Sequence, residues 1–415
     1  MAIGKLLFFT ASYPFGLGES WKKNELDCLS RGFDAIRIFP FTFAGNRQAR
    51  ALPDNAQAEL PLVEDASGLR THLPKLLTGG RLLFYMREFV ACGVFRSRKR
   101  MAAWLIASIQ IELILRSRQY RQLLGEDRGA ILYFFWAREW AYAIPFLRKA
   151  GFDRIMVRFH GYDLYEERES NSGYIPYRMP LLASLHSAIL LSAKARDYLR
   201  GKYRGDFNAT IIPLGTTFVG KARPSEDDMF RIVTCSAVVP VKRLSLLAAA
   251  LAHADRPVEW THIGDGPLMA ALQAEAALAP SCVQTRFAGH LPPEAVLPFY
   301  SGRQFDLFVN VSESEGLPVS ILEAFSAAIP ALATDVGGTA TIVGEETGAL
   351  LPPDIDAPDL WRRIAAFASL PIERRREKGE AAHALFRDHY HAPDNGRRLM
   401  ALFETASRGS AFDSP

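Results

Sequence analysis

Short β-rich apolar runs alternate with helical patterns along almost the whole chain, and this restricts the fold more than any other feature. Residues 5–10 read as a strand, followed by a glycine-containing loop and a helix over about 20–31. Residues 35–39, 131–136, 154–159 and 188–192 read as further strands, with helices over about 139–150 and 193–203. Such alternation means βαβ units, and βαβ units build parallel sheets. The pattern pauses where Pro213, Gly215, Gly220 and Pro224 crowd together, ahead of an acidic Glu226-Asp227-Asp228. It then restarts, with strands over 231–236, 259–263, 306–311 and 331–334. Helices are expected over 244–253, from Pro267 to about Ala279, and near 318–328. The spacing predicts an α/β protein of two Rossmann-like halves joined near residues 213–224. A chain of 415 residues is long enough for two or three domains.

The halves differ in charge. Residues 1–215 hold 31 Lys and Arg against 20 Asp and Glu, a net +11, while residues 216–415 hold 18 against 25, a net −7. That asymmetry suggests an anionic partner for the first half. Much of the excess lies within 70–121, where Arg87, Arg96, Arg98, Lys99 and Arg100 interleave with Phe84, Phe89, Val90 and Phe95. The stretch reads equally as a membrane-surface or polyanion-facing patch and as two amphipathic helices with solvated basic faces.

Composition excludes several classes. With 23% charged and 49% hydrophobic residues the chain is neither collagen-like nor low-complexity. Cys28, Cys92, Cys235 and Cys282 stand in no metal- or redox-type spacing, so free thiols in a reducing compartment are expected. The first residues read as a strand rather than a secretory signal. The longest apolar stretch, residues 101–115, is interrupted by Gln110 and Glu112 and is too short to span a bilayer.

The sharpest motif is SESEGLPVSILEA, residues 312–324. A buried-type strand runs into a loop holding Glu313, Glu315 and Gly316, and Pro318 stands where a helix should begin, a position proline favours. A helix start behind a parallel strand offers free N–H groups and a positive dipole end, which suits an anion. Gly316 lets a ligand approach the backbone closely. Ile321, Leu322, Phe325 and Ile329 share one face, and Glu323 points roughly the other way. By periodicity alone Glu323 is a solvated glutamate near a helix N-terminus, and Glu315 a loop carboxylate.

Glu315 and Glu323 form an E-x7-E pair within SESEGLPVSILEAFSAAIPALATDVGG, which resembles the signature of the retaining family-4 glycosyltransferases. The similarity extends over nearly the whole chain. TASYPFGLGESWKKNEL is similar to the N-terminal glycine loop, and RFHGYDLYEER to the His-containing centre of a subgroup making bacterial surface polysaccharides. CSAVVPVKRLSLLAAAL resembles the phosphate-binding segment.

The resemblance implies the GT-B fold, two Rossmann-like domains facing a central cleft. Residues 1–214 would bind the acceptor and 215–392 the nucleotide-sugar donor, while 393–415 would return to the first domain as a helix. It implies retaining transfer of a hexose from a nucleotide diphosphate sugar to a hydroxyl of a saccharide, for which a lipid diphosphate is the expected carrier. Lys242 would contact the diphosphate, with Arg243 beside it. Gly16 and Gly18 would let the first loop approach it. Glu315 would hold sugar hydroxyls near the anomeric carbon, and Glu323 the ribose hydroxyls. The backbone of Gly316, Leu317, Pro318 and Val319 would cradle sugar and phosphate, and His160 would contact the donor sugar near the reacting carbon. Gly264 in HIGDGPL, and Gly289 with His290 in FAGHL, look like loops on the base side. Asp163, Glu166 and Glu167 read either as acceptor-hydroxyl ligands or as solvated carboxylates. Trp136, Arg138 and Glu139 read either as acceptor-side residues or as core and surface.

Ala237 stands where family members often carry an arginine, five residues before Lys242. No tightly bound cofactor and no metal requirement are expected, on the reading that the chain has no Asp-x-Asp and no HExxH and supplies its own cations. An anionic membrane surface is a further candidate partner and nucleic acid is not one, so the expected location is the cytoplasm, including the inner face of its membrane. The competing readings are a nucleotide-sugar epimerase or hydrolase on the same scaffold and a non-catalytic subunit of a polysaccharide assembly complex. No G-x-G-x-x-G follows any predicted strand, which argues against an NAD-dependent oxidoreductase.

Overall fold

The computed structural model describes residues 3–16, 19, 22–43, 47–64, 74–205 and 207–409. Gly18 and Arg70 lie outside the described residues. The chain divides into two compact units, residues 1–213 with 396–415, and residues 214–395.

The first unit holds a parallel sheet of β1 (Lys5–Thr10), β2 (Ala35–Pro40), β3 (Ala56–Ala58), β4 (Ile131–Phe134), β5 (Ile155–Arg158), β6 (Ser187–Leu190) and β7 (Ala209–Ile211). Their order is β3-β2-β1-β4-β5-β6-β7. The second holds β8 (Phe230–Cys235), β9 (Val258–Ile263), β10 (Val283–Gly289), β11 (Leu307–Asn310), β12 (Ala331–Thr334) and β13 (Gly348–Leu351), in the order β10-β9-β8-β11-β12-β13. The central strands are mostly apolar, with any polar residue at a strand end, because helices cover both sheet faces: every residue of β4, β5, β6, β11 and β12 is buried. The strand order reverses between β1 and β4 in one sheet and between β8 and β11 in the other. Ligands of doubly wound sheets bind beyond the carboxyl ends of the strands at such a switch point.

Four edge or near-edge strands escape the alternation pattern. β3 and β7 are three residues each, β13 is four, and β10 carries polar Gln284 and Arg286 on an exposed edge. The helix expected over 139–150 is split. Glu139–Ala143 is a 3-10 turn and the α-helix is Ile144–Lys149, with Pro145 in its first turn, where the missing N–H is harmless. The basic stretch forms the helices Leu82–Ala91, Arg98–Arg116 and Arg118–Leu124. No helix among the described residues is long and apolar enough to cross a membrane.

The final helix, Ala392–Ser407, is packed into the first unit from Gly396 onward. The Phe403 ring meets Phe33 at 5.8 Å and Tyr133 at 5.4 Å. Gly396 makes the close approach possible, since a Cβ there would lie 2.4 Å from the Cys28 sulfur. All four cysteines are free.

Candidate functional site

Each switch point carries its own group of polar residues. In the second unit the loops after β8 and β11 are tied together, Glu313 N–H donating to the Val241 carbonyl at 2.8 Å. Lys242 closes a 3-10 turn after β8, and its ammonium donates to Glu315 Oε1 at 2.7 Å. Asn310, the last residue of β11, donates to the same oxygen at 3.2 Å. Glu315 is thus held by two donors, one of them a cation, and it retains a second carboxylate oxygen.

The loop is braced from behind. Gly338 N–H donates to the Gly316 carbonyl at 2.7 Å. Gly337 sits at φ +58°, and a Cβ there would lie 1.9 Å from the Glu315 carbonyl oxygen. Gly337→Ala therefore meets both a backbone strain and a clash. We expect it to cost about 2 kcal/mol and to lower the melting temperature by about 4–8 °C, readable by calorimetry. An unchanged melting temperature would show that the loop moves freely.

The helix Val319–Ser326 follows, with extended Pro318 as its N-cap. Its first N–H groups have no intrahelical partner, so they and the dipole present positive charge to the space ahead of Glu315. Glu323 lies on this helix. Contrary to a fully solvated position, it is partly buried, with Cys235 and Tyr300 close by. Burial pushes its carboxyl up to about 7.

Arg243, next to Lys242, also ties loops together. It adopts φ +47° as N-cap of the helix Leu244–Leu251, and its guanidinium donates to the backbone carbonyls of Val311 and Pro353 at 2.7 and 2.8 Å. Its visible work is joining loops. Gly264 accepts no side chain, because a Cβ would lie 1.9 Å from the Ser236 carbonyl oxygen. Gly264 N–H donates to the Gly289 carbonyl at 2.8 Å, which brings the HIGDGPL and FAGHL loops together. Gly289 has φ +69° with open space around it, and His290 is exposed. Contrary to the expectation that the chain has no Asp-x-Asp, Asp354-Ile355-Asp356 is one. Asp356 caps the helix Ala357–Ala368, accepting from Asp359 N–H at 2.8 Å. Among the described residues no three His, Cys, Asp or Glu side chains group as a metal site.

In the first unit, Gly16 has φ +74° in the loop after β1. The organiser of that loop is Glu19, which the sequence does not single out. Its carboxylate accepts from the Ser12 and Tyr13 N–H groups, each at 2.8 Å, and from the Trp136 indole and Lys22 ammonium. Lys22 is fully buried, 3.9 Å over the Phe135 ring. Burial pushes the Lys22 ammonium down to about 8 against the pull of Glu19. Burial would raise Glu19, but Lys22 and the hydrogen bonds outweigh it and hold it down at about 2.

His160 follows β5 and stacks against Phe135 and Trp136, with ring centroids 4.8 and 4.1 Å away. Both its ring nitrogens are buried without a hydrogen-bond partner. Burial, and then the Arg158 and Lys22 charges, press its pKa well below 6.5, so the ring is neutral at physiological pH. A neutral imidazole with two idle nitrogens is equipped to take a hydroxyl group from a ligand.

Asp163 proves to be a brace. It accepts from the His160 and Ala137 N–H groups at 2.6 and 2.7 Å, joining the loops after β4 and β5. Glu166 and Glu167 bind Tyr203, Tyr198 and Lys202. Arg138 and Glu139 line a pocket of about 710 Å³ together with Tyr162, Asn171 and Lys99. Glu139 has φ +55°, and its carboxyl is raised to about 7 by burial and then by Glu19, against the pull of Lys22 and Arg138. Strained, buried and titratable groups beside a pocket are characteristic of functional positions. Trp136 does not line the pocket; its indole serves Glu19.

Residues 230–369 match the family model described as Glycosyl transferases group 1. TuaC of Bacillus subtilis (strain 168), assigned to teichuronic acid biosynthesis as a glycosyltransferase, is 23% identical over 267 residues, 61% of this chain and 65% of TuaC. The O-antigen biosynthesis glycosyltransferase WbnH of Escherichia coli is 36% identical over 110 residues, 26% of this chain and 30% of WbnH. The chain thus spans less than two thirds of the length of these relatives. Among solved structures, sucrose-phosphate synthase from Thermosynechococcus elongatus aligns with a TM-score of 0.70 at 15% identity, over 98% of this chain and 100% of that one. HepE of Anabaena, solved with UDP and glucose, aligns with a TM-score of 0.61 at 14% identity, over 97% and 99%.

Proposed function

From a chain with the GT-B fold, whose second unit is recognisably that of the group 1 glycosyl transferases, we propose glycosyl transfer in the assembly of a bacterial surface polysaccharide. The donor is a nucleotide diphosphate sugar, and the acceptor is a hydroxyl of a saccharide carried on a lipid diphosphate. The observation that carries this reading is the Lys242–Glu315 pair, set at the β8/β11 switch point ahead of the helix Val319–Ser326. A cation, a sugar-binding carboxylate and a helix N-terminus stand together where a phosphorylated sugar needs them.

In the proposed reaction the bond between the anomeric carbon and the diphosphate oxygen breaks. The acceptor oxygen bonds to that carbon, and its proton passes to the departing diphosphate. The transition state gathers positive charge on the sugar and negative charge on the diphosphate. Lys242 and the helix N-terminus stabilise the latter while already in position. Glu315 holds sugar hydroxyls, Glu323 the ribose, and neutral His160 a further sugar hydroxyl. Attack on the face from which the diphosphate leaves retains the anomeric configuration and requires no separate base. The pocket beside Arg138 and Glu139 takes the acceptor.

A thermal-shift panel of nucleotide diphosphates and their sugars tests the donor assignment. A ligand at 100 times its dissociation constant stabilises by about 2.7 kcal/mol. A flat response to every nucleotide would overturn it. Labelled donor, incubated with and without a lipid extract, separates transfer from simple hydrolysis.

A further inference from the structure

Half of the large apolar side chains that the described residues leave exposed, seven of fourteen, fall between Leu82 and Ile106. Leu83, Met86 and Val90 form one stripe along the helix Leu82–Ala91, with Leu83 87% and Val90 65% exposed. Tyr85 and Glu88 of the same helix are buried. Phe95, 56% exposed, follows in the next turn, and Met101 and Ile106 are further exposed apolar side chains on the helix Arg98–Arg116, Ile106 on its pocket side. An apolar surface this concentrated marks an interaction site.

Charge decides what it meets. Arg87, Arg96, Arg98, Lys99 and Arg100 lie among these side chains. The single acidic residue between 82 and 106, Glu88, is withdrawn into the unit, where it accepts from Tyr174 O–H at 2.9 Å and Tyr177 N–H at 2.8 Å. This segment therefore offers apolar groups and cations only. Apolar side chains that enter the acyl boundary, ringed by cations at headgroup level, fit an anionic bilayer surface.

We propose that the outer face of residues 82–106 docks the protein on an anionic lipid bilayer. The face adjoins the 710 Å³ pocket, since Lys99, Ala102, Ala103 and Ile106 line it from the helix Arg98–Arg116. Tyr174 and Pro176 line it too, in a loop that Glu88 fastens to the docking helix. Docking thus sets the pocket at the membrane surface, where a lipid-borne acceptor presents its saccharide. That last step rests on the proposed glycosyl transfer; the docking does not.

The test is cosedimentation of the full chain with vesicles of phosphatidylcholine alone and of phosphatidylcholine with one quarter phosphatidylglycerol. Wild type is expected to bind the anionic vesicles at least tenfold better than the neutral ones. Leu83→Glu with Val90→Glu should abolish binding, and glutamine at Arg96, Arg98, Lys99 and Arg100 should weaken it at least tenfold. Circular dichroism and the nucleotide-sugar thermal shift are read on the same preparations and should not change in the Leu83→Glu, Val90→Glu variant. Equal binding to both vesicle types, or anionic binding that survives both sets of substitutions, overturns the proposal. So does a lipid-free dimer that the Leu83→Glu, Val90→Glu variant dissociates, which would assign the face to a second copy. A nucleotide-sugar shift without vesicle binding removes the docking and leaves the transferase reading; vesicle binding without any shift does the reverse.

Discussion

Lys242→Ala is expected to lower the turnover of glycosyl transfer by about 100-fold, the scale of removing one preorganised contact to a developing negative charge. The loss should fall on kcat rather than KM. In the proposed reaction the diphosphate gains charge only as its bond to the sugar breaks, so the lysine is expected to contribute most in the transition state. The substitution also leaves Glu315 Oε1 with Asn310 as its remaining partner of the observed two. Lys242→Arg keeps the charge but not the geometry, and should recover part of the rate. The check is steady-state kinetics with saturating donor. A kcat within threefold of wild type would remove Lys242 from the mechanism.

The second large effect has the opposite kinetic form. Glu323→Ala should weaken donor binding by about 10- to 100-fold, as expected for losing hydrogen bonds to a charged group, with kcat nearly unchanged. In the proposed assignment Glu323 holds ribose hydroxyls, which take no part in the chemistry, so those contacts are expected to be equally strong before and during it. The raised carboxyl pKa of about 7 gives this assignment a pH signature. Hydroxyls that donate to the ionised form pull its pKa down on binding, so affinity must rise as pH climbs through 7. Wild-type affinity for a nucleotide diphosphate sugar should increase about tenfold from pH 6 to pH 8, because the ionised fraction does. Glu323→Gln should bind weakly and without that slope. Calorimetric titration at the two pH values decides it, and a slope that persists in Glu323→Gln would place the titrating group elsewhere.

The parts of this structure legible in the sequence are those where local pattern and fold coincide. Strands such as Leu307–Asn310 and Ala331–Thr334 are apolar up to their last residue and buried throughout because both faces of their sheets are covered, and they announce themselves. The edge strands do not, being short or interrupted by polar residues. The Glu315 and Glu323 motif is legible because strand, loop and helix start follow one another in the chain. Glu19 is different. It matters because folding brings Ser12, Tyr13, Lys22 and Trp136 to one carboxylate, and Trp136 is more than a hundred residues away. Arg243 shows the converse: its neighbour in sequence suggests a phosphate ligand, while its backbone conformation turns the guanidinium to two carbonyls. Asp163 also reads as a free carboxylate until its two N–H donors are seen to come from separate loops.

The last helix has a bearing on how the protein is made. Leu399, Leu402, Phe403 and Ala406 are buried, and from Gly396 onward the chain belongs to the first unit. Some 180 residues of the second unit are synthesised between the two segments of the first. A ribosome building the chain from its N-terminus therefore completes the second unit before the first can close. Until the last helix emerges, the surface around Phe33 and Tyr133 waits uncovered, and its closure is a contact across most of the length of the chain. The unit made first is finished last, so a chain cut short just before Gly396 loses the integrity of its beginning rather than of its end.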